Sequence, residues 1–166
     1  MNEDLDNKSA IEKLKSLING IKVGVFCTEL TKMPLQSRPM SVQEVDDEGN
    51  LWFISSTNSN KNFEIEKDNH VQLFFSNVST SQYLSLYGYA TIYKDQQKID
   101  ELWTPIAKAW FEEGKTDPKV SIIKVTPSDA YYWDTKDGKI VTLLKMASAA
   151  VFGNQPDIGV EGKLNL

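Results

Sequence analysis

The chain has 166 residues, 40% of them hydrophobic and 25% charged, with a formal net charge of -5 and a pI near 4.9. These figures describe one ordinary globular domain with enough apolar side chains for a sizeable core, not a disordered chain. An acidic molecule is a poor match for nucleic acid, whose phosphates demand a basic footprint, and no apolar run approaches the roughly 20 residues of a membrane span.

The predicted elements begin with a helix: Leu5, Ile11, Leu14, Leu17 and Ile18 form an apolar stripe, Ser9 can cap it, and Asn19-Gly20 ends it. Residues 22–29 read as a strand in which Val23, Val25 and Cys27 alternate with Lys22, Phe26 and Thr28, which makes Cys27 a core thiol. A loop over 31–37 leads to strands 39–45 and 51–55 around an acidic turn, and a short helix is expected over 62–67. Strands 70–76 and 83–93 follow, joined by a polar turn. In the longer one Leu84, Leu86, Gly88, Ala90 and Ile92 taper to small residues as a tight barrel interior would. Its other face carries Tyr83, Tyr87, Tyr89 and Tyr93, too aromatic to be left in water; a second subunit or the chain's own helices could cover it.

A helical region over 95–111, interrupted at Pro105, precedes a loop and a strand over 120–126 that continues through 130–134. Ile140, Leu143, Leu144, Ala147, Ala150 and Val151 mark a final helix stopped by Gly153, and 154–166 reads as a polar tail, either a draped arm or disordered. The expectation is a single domain over 1–153, mainly β with peripheral α: a small closed barrel of about six antiparallel strands with flanking helices.

The chemistry concentrates at one place. Trp52, Phe53 and Ile54 run into six hydroxyl and amide residues, 55–60, and then into Lys61 at a helix start. A cation there opposes the helix dipole by about 0.3–1 kcal/mol, a cost that a bound anion would reverse. Strand, hydroxyl-rich turn and lysine together suit a phosphate, although the same Ser and Asn residues also serve as ordinary caps. Arg38 is the only arginine in the chain, one hairpin away. His70 and Cys27 are each alone of their kind, so neither a metal site nor a histidine-based nucleophile is well supplied; no catalytic residue can be named, and a cofactor is expected to carry any chemistry. One cysteine and a polar, acidic start fit a reducing, cytoplasmic setting.

Arg38-Pro39-Met40, Leu51 to Ser55 with Ser59 and Lys61, Tyr83 to Ala90, Ala109 to Lys115 with Asp117-Pro118, and Tyr131 to Asp134 occur in an order and spacing that resembles the FMN-binding split-barrel proteins of the pyridoxamine 5'-phosphate oxidase-like group, within them the general stress protein 26 type. The resemblance spans about residues 8–153. It implies that Arg38, Ser55, Ser59 and Lys61 hold the FMN phosphate, that backbone groups of Pro39, Met40, Phe53 and Ile54 line the flavin ring, and that Tyr83, Trp110 and Trp133 approach it. It also implies a homodimer with FMN at the subunit interface, and a flavin-dependent oxidoreductase of unknown substrate or, alternatively, a non-catalytic FMN-binding storage or sensing protein. The Arg-x-His signature of the true oxidases does not follow Trp133, so oxidation of vitamin B6 is not expected.

Overall fold

A computed structural model describes residues 1–135, 146 and 158–166, so the final helix expected over 140–151 lies, but for one position, outside the described residues. The order is β1 (Leu5–Asp6), α1 (Asn7–Ile21), β2 (Val23–Thr28), β3 (Gln36–Ser41), β4 (Glu44–Val45), β5 (Leu51–Ser56), α2 (Asn60–Lys67), β6 (His70–Asn77), β7 (Gln82–Tyr93), α3 (Gln96–Leu102), β8 (Val120–Thr135) and β9 (Gly159–Asn165). Among the described residues nine strands make one mixed sheet, running β1-β9-β8-β7-β6-β2-β3 with β4 and β5 branching off. The branch point is β8: β7 follows one edge throughout, while β5 takes the first half of the other edge and β9 the second.

The sheet curls into a barrel that does not close, which corrects the closed form expected from the hairpins. Beyond Ser41 the chain changes partners: Val42 donates its N–H to the Lys22 carbonyl at 2.9 Å, and Gln43 donates to the Trp52 carbonyl at 2.8 Å. The single strand expected over 39–45 is therefore two, β3 on β2 and β4 on β5, with a corner between them. Side-chain alternation continues through the corner, so the pattern alone does not mark it. The gap left between β3 and β5 is the split.

Phe26 and Phe53 meet edge-on, ring centres 5.4 Å apart, in a core closed by Leu14, Leu17 and Ile18 of α1. The phase of β2 is thus the reverse of the one expected: Phe26 faces the core, while Val23 and Val25 project from the opposite face and are half exposed. Cys27 shares their face and is nevertheless buried. The first helix begins after Asp6, so Ser9 lies inside it rather than capping it. It continues past Asn19-Gly20 to Ile21. Only 96–102 of the long helical region forms α-helix, capped by the Asp95 carboxylate, which accepts from the Lys98 N–H at 3.2 Å. Thr104 is held out of the helical region by the proline after it, Pro105 offers no N–H, and the chain resumes as a 3-10 turn, Ala107–Trp110. Ile99, Leu102 and Phe111 pack there on Val120 and Ile122, with Trp103 against them. No helix among the described residues is long and apolar enough to cross a membrane.

The tail is corrected as well. Residues 159–165 form β9, antiparallel to β8 and parallel to β1, with Val160 and Leu164 buried on one face. Gly162 completes that face, and its reason is contact: a Cβ there would stand 1.9 Å from the Glu3 carbonyl oxygen. Gly162→Ala is expected to push the amino-terminal strand off β9 at roughly 1–3 kcal/mol, lowering Tm by several degrees in a chain of this size. Gly159→Ala, where the nearest atom is an ordinary 3.9 Å away, should melt with the parent.

Candidate functional site

A cavity of about 790 Å³ occupies the split, within the size range of small-molecule sites. Its walls are β3 through β4 on one side and the end of β5 with Lys61 on another; the 3-10 turn with Trp110 and the end of α1 supply the rest. Of the residues expected at the cofactor, Pro39, Met40, Ile54, Ser55, Lys61 and Trp110 stand in this wall. Arg38, Phe53, Ser59, Tyr83 and Trp133 do not.

Three of those five have specific places nearby or behind the wall. Phe53 belongs to the core against Phe26. Ser59 precedes α2 without a side-chain cap bond; its hydroxyl turns back to Asn62 Oδ1 at 3.0 Å, and Ser55 Oγ donates to the same oxygen at 2.6 Å. Asn62 also donates to Ser121 Oγ at 3.0 Å. This buried amide, invisible as a site residue in the sequence, ties the hydroxyl-rich turn and the first turn of α2, with Lys61, to β8.

Arg38 sits opposite Phe26 in the β2–β3 ladder. Its Nη1 donates to Thr28 Oγ1 at 2.7 Å, its Nη2 to Glu64 Oε2 at 2.6 Å, and Thr28 Oγ1 donates to the same Glu64 oxygen at 2.5 Å. The ring of three bonds is mostly sheltered, with the Arg38 and Glu64 side chains 22% and 12% exposed. Burial opposes the Glu64 carboxylate, but the hydrogen bonds from Thr28 and Arg38 outweigh it and hold the group below the ordinary glutamate range. Glu64 escaped sequence reasoning although its spacing was available: three residues beyond Lys61, it lies on the same side of α2.

Lys61 completes the cluster. Burial pushes its ammonium below the ordinary lysine range, the Arg38 guanidinium pushes the same way, and Glu64 only partly opposes them. Among the described residues no carboxylate lies within ion-pair distance of Lys61, so a half-buried cation faces the cavity beside a second cation already engaged by Glu64. Such a pair is a poor arrangement for an empty protein and a good one for an anion.

Tyr83 and Trp133 are cross-strand partners on β7 and β8, on the outer face of the sheet and outside the cavity wall, which that face meets at its far edge through Val23, Pro39 and Ser41. That face is continuous: Pro39, Val25, Phe74, Ser85 and Tyr131 are successive neighbours across five strands. Phe74 is 47% and Trp133 40% exposed, beside the half-exposed Val23 and Val25. The tyrosine stripe crosses it unevenly. Tyr93 packs beside Trp52, and Tyr87 and Tyr89 surround His70, while Tyr83, Tyr89 and Tyr93 are all similarly exposed. His70 opens β6, with Asp68 Oδ1 2.6 Å from its Nδ1.

Over 138 residues the chain is 30% identical to Protein bli-3 of Neurospora crassa, a match covering 77% of this chain and 65% of that protein, so the chain spans about two thirds of the curated relative's length. The fold is that of a general stress protein 26 from Jannaschia sp. CCS1, with a TM-score of 0.79 at 24% identity, covering 95% of this chain and 99% of the other. A general stress FMN/FAD binding protein from Xanthomonas citri superposes with a TM-score of 0.66 at 25% identity over 76% of this chain and 89% of its own. Residues 9–157 match the family described as pyridoxamine 5'-phosphate oxidase like, and with the split barrel in view the chain belongs to that family.

Proposed function

We propose that this chain is an FMN-binding flavoprotein, a homodimer that acts as a flavin-dependent oxidoreductase on a small substrate. The observation that carries the reading is a half-buried Lys61 in the wall of a cavity large enough for a flavin, with the Arg38 guanidinium behind that wall close enough to push the ammonium down. The donor set fits FMN: a phosphate ester there would be held by the Lys61 ammonium and the edges of the Arg38 guanidinium not taken by Thr28 and Glu64, with Ser55 beside them. Pro39, Met40 and Ile54 supply an apolar wall for the ring. When bound, FMN would supply hydride and electron transfer; the chain's own part is to fix the ring and control what enters. The dimer is supported by the apolar outer face, where Tyr83 and Trp133 are part exposed and stand outside the wall of the cavity in the split.

The test is an absorbance titration of the purified protein with FMN. The parent is expected to develop the bands of a bound flavin, and Lys61→Ala to bind roughly tenfold to a hundredfold more weakly, the effect of losing a charged contact. Parent affinity should decline as pH rises toward the lowered lysine range, and the variant should lack that dependence. Oxidation of NADH or NADPH by the loaded protein, with several acceptors, then separates an oxidoreductase from a storage or sensing protein. A parent that ignores FMN ends the reading.

A further inference from the structure

We propose that the opposite end of the cavity is a second anion site, built on Lys22, which takes the carboxylate or phosphate of a small substrate. The inference rests on the reading above only in assigning the Lys61 end to the cofactor. Lys22 closes α1 with φ 64° and ψ -46°, a positive-φ conformation outside the left-handed helical well, in which a side chain is strained and a glycine is not. The backbone is held there from both sides: its N–H donates to the Ile18 carbonyl at 2.7 Å, and its own carbonyl accepts from Val42 at 2.9 Å. Glycine is the common residue at this helix position, and the chain has one two residues earlier. Strain kept at a cavity wall is a mark of a site.

The charge distribution says what the site would hold. Lys22 and Lys61 both line the cavity, and among the described residues neither has a carboxylate partner. The acid in the same wall, Glu44, is already paired, accepting from Lys98 Nζ at 2.7 Å. The cavity is therefore net positive inside an acidic protein. Arg38 and Val42 lie four residues apart along the chain, about 13 Å at strand spacing, so the two cationic ends are separate. Between them the wall is largely apolar, with Met40, Val42, Ile54 and Ala107; Asn19 and Gln43 add hydrogen-bonding groups near Lys22. The site thus suits an oxyanion on an apolar body, with the charge at Lys22 and the body directed inward.

Benzoate, acetate and inorganic phosphate serve as probes, read by thermal shift on the protein with and without FMN and by the flavin difference spectrum of the loaded form. Benzoate is expected to raise Tm and perturb the spectrum more than acetate does. Lys22→Gln should weaken this roughly tenfold or more, the loss of one charged contact, with FMN affinity unchanged; Lys22→Arg should retain it. Lys22→Gly should lose the anion response and, relieved of strain, melt higher than the parent. The proposal is overturned if Lys22→Gln responds like the parent, if Lys22→Gly melts lower, or if Lys22→Gln changes the association state, which would make Lys22 a partner contact. A protein that ignores FMN but keeps the Lys22-dependent benzoate shift sinks the flavin assignment alone.

Discussion

Arg38→Ala is expected to lower the Tm of the ligand-free protein by about 6–12 °C and to cut FMN affinity by at least roughly tenfold. The stability loss comes from Glu64. Removing one member of a sheltered ion pair strands the other, at roughly 3 kcal/mol for a pair that keeps some access to water, and a chain of this length moves by about 2–4 °C per kcal/mol. The binding loss has a different origin, the missing guanidinium, and a second variant separates the two. In the Arg38→Ala background, Glu64→Gln should restore most of the Tm, because no charge is left stranded, and none of the affinity. Glu64→Gln alone keeps an oxygen for Arg38 to donate to and removes a negative charge near the phosphate, so its affinity should equal or exceed the parent's. The pH dependence follows from the depressed Glu64 carboxyl. Its stabilising share is fully present above the ordinary value of 4.5 and disappears as pH falls through the lower folded value, so the gap between parent and Arg38→Ala should narrow on acidification. If Arg38→Ala melts with the parent at neutral pH, the Thr28–Glu64–Arg38 ring is a solvated contact and does not frame the site.

Local chemistry was legible in the sequence wherever neighbours in the chain are neighbours in space. The hydroxyl block before Lys61, the helix start beneath it and the alternation of β7 all lie within a few residues, and each stands as expected. What escaped depends on distant pairing. Thr28 and Glu64 are separated by 36 residues, Asn62 and Ser121 by 59, and no spacing rule links them. The corner at Val42 escaped because exchanging β2 for β5 changes hydrogen-bond partners without disturbing side-chain order. Strand β9 escaped because its face is only Val160, Gly162 and Leu164, and the glycine reads as a break until the Glu3 backbone is seen against it. The inverted phase of β2 has the most consequence for function. Two valines that alternation assigns to a core lie on the outside.

Phe74→Asp is accordingly expected to turn the proposed dimer into a folded monomer. In the single chain Phe74 lies on the surface next to Val25 and across from Ser85, so the substitution leaves the core intact and circular dichroism should be unchanged. At a two-fold interface the same patch meets itself, so each dimer would bury two aspartates without partners. At several kcal/mol for each desolvated charge, the dissociation constant should rise by a factor of roughly a thousand or more, which sedimentation velocity across a concentration series would resolve. FMN affinity should fall in step, because in the proposed dimer Tyr83 and Trp133, which stand outside the wall of the cavity in the split, approach the flavin from the other copy. Trp133→Ala, which removes one aromatic ring and introduces no charge, should weaken FMN binding while the dimer persists. A Phe74→Asp protein that still sediments as a dimer would place the interface elsewhere. A monomer that binds FMN as tightly as the parent would make the split between β3 and β5 sufficient by itself, and leave the two outer aromatics with no part in the site.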